Sequence, residues 1–298
     1  EPSEVRSIQR YLDAVRSNLL FAKSVLLVEG DAEEILIPIL VKKVLGLSVD
    51  ELGISVINIR STGFKNVAVL FHDLRIRKRC AIVTDLDTTF FDVTPQPTDH
   101  EFLASKKRKA IGSQKAGVER KVGLDAFVAG NPWISAFYAP HTFEVDLVSA
   151  GNEEAFARAA SKVYIAPHTI KEAVEALRSG QPHLVGFRAL LMAEYEGKGW
   201  FAIMLAEELD HQVAIPPYIL QALQFAHGHM SPLLLARILQ YRVARQIHAD
   251  PSAQPRLTLL RGEVERFQRG EIDLVFLKAA VALALPGDAI NSFMVGIA

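Results

Sequence analysis

Two short apolar runs end abruptly on acidic residues, and those ends are where chemistry is expected. One reads Val25-Leu26-Leu27-Val28-Glu29-Gly30-Asp31-Ala32-Glu33 and the other Ala81-Ile82-Val83-Thr84-Asp85-Leu86-Asp87. Neither run contains a residue of opposite charge. If Glu29, Asp85 and Asp87 converge, their carboxylates repel one another strongly. A hard divalent cation such as Mg²⁺ takes oxygen ligands and removes that repulsion. Asp85 and Asp87 are two residues apart, so in an extended chain their side chains point the same way. Asp also serves as a helix cap and turn residue. The metal reading therefore rests on two such strand ends in one chain, not on either alone.

The elements that must position these groups follow from the patterning. Apolar runs that stop at Gly or acidic turns, as at 25–28 and 81–84, read as strands of a parallel sheet buried on both faces. Ile54 to Ile59 and Trp133 to Tyr138 read as further strands. Asp31 with Glu34 has the spacing of a capping box, opening a helix that runs from Ala32 to Leu45 and stops at Gly46. Phe64 to Leu74 reads as a second helix, and Thr88 to Gly130 as a long polar loop with a basic run. Strand alternating with helix implies an α/β fold with right-handed crossovers. In such sheets ligands bind beyond the carboxyl ends of the strands, where the acidic residues stand. From Asn152 onward the pattern turns mainly helical, punctuated by Gly180, Pro182, Gly197, Pro216 and Pro217.

Taken in order, these motifs resemble the Toprim domain shared by topoisomerases, primases and several nucleases. That domain carries a Glu after its first strand and an Asp-x-Asp after a later one, matched here by Glu29 and Asp85-Leu86-Asp87. The resemblance narrows with Leu19-Leu20-Phe21-Ala22-Lys23, Val28-Glu29-Gly30-Asp31-Ala32-Glu33, Asp50-Glu51-Leu52-Gly53-Ile54-Ser55-Val56, Gly63-Phe64-Lys65-Asn66 and Thr84-Asp85-Leu86-Asp87. Together these are similar to the C-terminal region of the OLD (overcoming lysogenization defect) family nucleases. The similarity is dense from Tyr11 to Asp87, and it resumes at Thr142-Phe143-Glu144-Val145-Asp146-Leu147 and at Gly197-Lys198-Gly199-Trp200-Phe201-Ala202.

The resemblance implies a metal-dependent DNA endonuclease that uses two Mg²⁺ or Mn²⁺ ions. It implies that Glu29, Glu33 and Asp85 hold one ion and that Asp87 and Glu144 help hold a second, with Asp146 an additional ligand candidate. Lys198, flanked by glycines that let the backbone approach a ligand, is implied to stabilise charge on a phosphodiester. The implied partners are DNA and an N-terminal ATPase domain of the full-length protein, through which the protein could form an oligomer. Other Toprim chemistry (primase or topoisomerase) and a non-catalytic DNA-binding module are the alternatives. No motif surrounds Tyr138 or Tyr164, which counts against a topoisomerase tyrosine.

The composition constrains these readings. The 298 residues are 50% hydrophobic and 22% charged, with a formal net charge of -1. Nucleic-acid contact must therefore come from local patches. The candidates are Arg75, Arg77, Lys78 and Arg79, and Lys106, Lys107, Arg108 and Lys109, with Lys115, Arg120 and Lys121 nearby. Phosphate contacts through them would weaken with salt. The single cysteine, Cys80, excludes an intrachain disulfide and points to a reducing, cytoplasmic setting. No membrane segment is expected, because the apolar stretch from Leu274 to Leu285 carries Lys278 and falls short of the roughly 20 residues a span needs. Gly112 and Gly117 have the spacing of a phosphate loop, but Val118 stands where Lys is required. The ATPase function is accordingly assigned to a portion outside this sequence. The expected organisation is a lead-in helix at 1–23, a Toprim core at 24–148, a helical segment at 149–215 that returns to the site at Lys198, and a helical accessory region at 216–298.

Overall fold

The computed structural model describes residues 21–60 and 63–297. The lead-in helix expected at 1–23 falls almost wholly outside the described residues. Four parallel strands form one sheet: β1 (Ser24–Val28), β2 (Ile54–Asn58), β3 (Cys80–Asp85) and β4 (Ile134–Ala139). Their spatial order is β2-β1-β3-β4. The register pairs Leu27 with Ile82 and Asp85 with Ala139, so the carboxyl ends of β1, β3 and β4 share one edge.

Period-two alternation splits the strand residues between two cores. Leu26, Val28, Ala81 and Val83 face the larger core. Val25, Leu27, Cys80 and Ile82 face a smaller one with Phe64, Phe71 and Leu124. The larger core is continuous with the C-terminal helices, reaching Leu257, Leu277 and Phe293. Cys80 is fully buried, and that burial pushes its thiol far above the ordinary range.

The first helix, α1 (Asp31–Leu45), ends at Gly46, whose φ of 72° is left-handed. Its start differs from the expected capping box. Gly30 is the N-cap and no side chain caps it, because Asp31 and Glu34 both accept from the Asn58 amide at 2.7 and 3.0 Å. The expected second helix shortens to α2 (Lys65–Ala68).

The largest departure is at 88–130. Most of it is one long helix, α3 (Glu101–Val128), rather than loop. It buries only Lys107, Gly117 and Leu124, so it carries almost no apolar periodicity for a sequence reading to detect. After β4 come α4 (Phe143–Ser149), α5 (Glu153–Val163), α6 (Pro167–Leu177), α7 (Pro182–Tyr195) and α8 (Lys198–Glu208). The remainder is α9 (Pro217–His227), α10 (Pro232–Ala249), α11 (Gln254–Gln268), α12 (Leu274–Ala284) and α13 (Ile290–Val295). Helix α9 packs across all four strands, while α8 packs on α1 and α7 on α4. Among the described residues no helix is long and apolar enough to cross a membrane.

Candidate active site at the carboxyl edge of the sheet

Glu29 is the first residue beyond β1. Its side chain accepts a 2.7 Å hydrogen bond from the Thr84 hydroxyl on the neighbouring strand, as the register requires. Asp85 closes β3 and is 9% exposed. Its Oδ2 accepts from the Phe143 backbone N–H at 3.2 Å. Its Oδ1 is buried with no partner. Glu33, in the first turn of α1, is 5% exposed. Glu144, in the first turn of α4, is 1% exposed, and its Oε1 also lacks a partner.

The Lys198 ammonium, at the start of α8, donates to Glu144 Oε2 at 3.0 Å. It reaches the site because α8 packs on α1, the helix that carries Glu33. Gly197 ahead of it has φ 87°, a conformation that Gly adopts without a Cβ penalty.

The electrostatics follow from this crowding. Burial, and then the Glu144 carboxylate, push Glu33 up to about 7. Burial, and then Glu33, hold Asp85 well above the usual carboxylate range. Burial disfavours the Lys198 ammonium, but Glu144, Asp85 and Glu33 outweigh it, and the amine is raised above its ordinary value.

Asp87 sits close by in a different backbone state from the one expected. Its φ is 54°, so the chain is not extended past Asp85 and the two carboxylates do not simply alternate. Asp87 Oδ2 instead lies 3.4 Å from Arg120 Nη2. Arg120 is on α3 and also donates to the Asp85 carbonyl. Its Nη1 lies 3.8 Å from Glu29. Helix α3 approaches closely here: a Cβ at Gly117 would stand 2.1 Å from the Leu86 carbonyl oxygen.

Glu144 and Asp146 also differ from expectation. They lie on a helix, where residues two apart face away from each other, rather than on an extended segment. Glu144 meets Lys198. Asp146 accepts from the His141 N–H at 2.9 Å and is raised by burial, fixing the loop between β4 and α4.

The two basic patches separate. Arg75, Arg77, Lys78 and Arg79 precede β3, so they lie at the opposite end of a strand roughly 17 Å long from the carboxylates. Arg79 donates to the Phe225 carbonyl at 2.9 Å and lies over its ring. Arg75 and Arg77 donate to the carbonyls of Val69 and Asp73. Lys106 and Lys109 line a cleft with Asp87 and Lys198 and pair with Glu194. Lys107 does not share that surface. It is 6% exposed and bonds Asp99 and the Thr94 carbonyl. Arg108 is exposed and bonds Glu101 at 2.7 Å.

Two residues at the site carry no sequence signal that assigns them to it. Arg120 is one of several basic residues in a segment that reads as a loop. Tyr218 on α9 has a buried, unpartnered hydroxyl; burial, and then Asp85 and Glu33, raise it well above the usual phenol range. No motif surrounds it. Among the described residues, the buried side-chain polar atoms without partners belong to Asp85, Arg120, Thr142, Glu144, His211 and Tyr218. All but His211 belong to this site or line the cleft beside it.

An all-oxygen donor set with two orphaned buried oxygens suits a hard cation. No three His, Cys, Asp or Glu side chains among the described residues stand in a metal-holding arrangement as they are. Lys198 pairs with Glu144, and Arg120 pairs with Asp87 and, at 3.8 Å, with Glu29.

Residues 20–87 match the family model described as the overcoming lysogenization defect protein-like TOPRIM domain. No curated protein matches the chain. Among solved structures, the chain is similar to the C-terminal region of the Burkholderia pseudomallei OLD protein. The identity there is 24% and the TM-score 0.49, over 70% of this chain and 98% of that one. It is also similar to the C-terminal region of the Xanthomonas campestris pv. campestris OLD protein, at 25% identity and TM-score 0.47, over 70% of this chain and 95% of that one.

Proposed function

We propose that the chain, whose residues 20–87 match the OLD-like TOPRIM domain model, is a metal-dependent DNA endonuclease, the nuclease module of a protein that also contains an ATPase domain. The observation that carries this reading is the cluster of buried Asp85, Glu33 and Glu144 beside Lys198, with Asp85 Oδ1 and Glu144 Oε1 unsatisfied. Buried carboxyls without full hydrogen bonding are costly. Their placement beyond the carboxyl ends of β1, β3 and β4 is where a ligand belongs in such a sheet.

Glu29, Glu33 and Asp85 would hold one Mg²⁺ or Mn²⁺ ion, and Asp87 and Glu144 a second. Two such ions would supply the means to activate a water and steady the leaving oxygen of an in-line phosphodiester displacement. Arg120 orients Asp87 and fixes the chain at the Asp85 carbonyl. Lys198 keeps a positive charge at the site beside Glu144, where it would be available to a phosphodiester. Asp146 holds the loop through His141 rather than facing Lys198. Lys106 and Lys109 are the cations best placed to meet the DNA backbone near the site.

The test is incubation of the chain with supercoiled plasmid in Mg²⁺, in Mn²⁺ and in EDTA, beside Asp85→Ala. The expected products are nicked and linear DNA that require both metal and Asp85. Cutting retained in the folded Asp85→Ala protein removes the assignment.

A further inference from the structure

A cleft of about 190 Å³ opens beside the carboxylates, between residues 87–91, α3 and α7. Phe90, Phe91 and Phe187 line its apolar side, and Lys106, Lys109 and Lys198 are among its polar lining. The rings form an edge-to-face set. The Phe90 and Phe91 centroids are 5.3 Å apart at 74°, and those of Phe91 and Phe187 are 5.5 Å apart at 67°. Phe90 packs edge-on to His141 at 5.5 Å. It also sits so close to α7 that a Cβ at Gly186 would lie 3.0 Å from its ring. This wall is therefore anchored in the protein, while Phe91 and Phe187 remain partly exposed.

We propose that this cleft is a subsite for one unpaired nucleobase of the DNA strand whose phosphate lies at the carboxylates, which would direct the enzyme to single-stranded or frayed DNA. The inference rests on the nuclease reading for the identity of the ligand. Three features of the cleft support it. Asp87 and Lys198 belong to both the cleft and the carboxylate site, so a strand at one reaches the other. Aromatic side chains accept bases of any sequence by stacking, and lysines beside them take the phosphates. The volume is below the roughly 300–1,000 Å³ of drug-sized sites, which suits a single flat ring system. Glu194 tempers the charge by pairing with Lys106 and Lys109, and with Asp87 it leaves the lining only modestly cationic. A duplex keeps its bases in the stack, out of reach of such a cleft.

The test uses oligonucleotides carrying 2-aminopurine, titrated in EDTA so that nothing is cut. The formats are single strand, blunt duplex and duplex with a single-stranded overhang. Single strand and overhang should bind with a saturable fluorescence change, and the blunt duplex should show none. Phe187→Ala should weaken single-strand binding about 5- to 150-fold, the range for losing one stacked base, with duplex binding unchanged. A strand with an abasic site at the reporter position, used as a competitor against the 2-aminopurine strand, should bind the wild-type protein more weakly by a similar factor, which keeps the test valid if Phe187→Ala does not fold. Equal binding of all formats without a fluorescence change, insensitivity to the abasic site, or no binding at all would overturn the proposal. Cutting of single-stranded DNA and of plasmid in Mn²⁺ separates the two readings. Both substrates left intact with a persisting fluorescence change removes the nuclease but keeps the subsite; cutting with silent fluorescence does the reverse.

Discussion

At pH 8 and without divalent metal, Glu33→Gln should stabilise the protein. Glu33 is 5% exposed and shares its surroundings with Glu144 and Glu29. Burial chiefly pushes its carboxyl from 4.5 to about 7. Below 4.5 the folded and unfolded chains both carry the proton, and Glu33 makes no difference to stability. Between 4.5 and about 7 only the folded protein keeps it, so stability falls as pH rises through that window and stays low above it. Each pH unit is worth about 1.4 kcal/mol, which makes the loss at pH 8 roughly 3 kcal/mol. Asp85 titrates in the same cluster and is also raised, so this is the most that one substitution recovers. For 298 residues, at about 2.1 cal/mol/K each, it corresponds to a gain in Tm of about 5 °C.

The assay is thermal and urea unfolding of wild type and Glu33→Gln in EDTA at pH 4.5 and pH 8. The variant should be more stable at pH 8 and close to wild type at pH 4.5. A lower Tm for the variant at pH 8, or the same offset at both pH values, would refute the reasoning. Adding Mn²⁺ at pH 8 should then raise wild type more than the variant, because a ligand that binds the folded state stabilises it by mass action.

Gly117→Ala provides a test of opposite sign. Within a helix this change ordinarily stabilises by roughly 0.5–1 kcal/mol, but here the new Cβ would stand 2.1 Å from the Leu86 carbonyl. Urea unfolding should instead show a loss of about 1–3 kcal/mol from overpacking, with metal-dependent cutting reduced because Leu86 joins Asp85 to Asp87. Arg242→Ala should destabilise by about 3–5 kcal/mol, leaving Asp288 (2% exposed) without its partner; Arg242→Met combined with Asp288→Leu should recover most of that loss. Lys107→Ala should lower stability and leave the salt dependence of DNA binding unchanged, since its ammonium is committed to Asp99. Lys106→Ala or Lys109→Ala should each flatten that dependence by about one phosphate contact.

Much of the candidate site is legible in the sequence because its strands are short, wholly apolar and sharply bounded. Val25 to Val28 and Ala81 to Val83 are buried on both faces, and that burial produces the unbroken runs seen in the sequence. Parallel pairing of β1 and β3 then brings Glu29 and Asp85 to a common edge. The same logic places Arg75 to Arg79 at the far edge, because they precede β3. Helix α3 is not legible. It is held by few buried residues, so hydrophobic periodicity does not mark it, and Arg120 reads as one basic residue among several. The geometry of Glu144 and Asp146 departs from expectation for a related reason. Thr-Phe-Glu-Val-Asp-Leu alternates like a strand, but Phe143, Val145, Leu147 and Val148 are all buried in a helix with little exposed face. Tyr218 cannot be found from its neighbours in sequence, because only the packing of α9 across the sheet brings it near the carboxylates.

The molecule contains its own control for what a structural buried charge looks like. Arg242 and Asp288 are 1% and 2% exposed. Two nitrogens of Arg242 meet Asp288, a third donates to the His211 carbonyl at 2.7 Å, and Gln246 donates to Asp288 at 2.6 Å. That pair is satisfied from every side, as a buried ion pair must be if it is to persist. The carboxylate cluster has the opposite character. It gathers like charges, leaves Asp85 Oδ1 and Glu144 Oε1 without donors, and holds Glu33 and Asp85 in protonation states shifted toward neutral. Each buried unsatisfied group costs about 1–3 kcal/mol. A core shared between the sheet and the C-terminal helices supplies the stability that tolerates this. Local conflict of this kind, concentrated at one sheet edge while the rest of the described buried polar network is largely satisfied, is the mark of a functional site. It would be an inefficient way to build a scaffold.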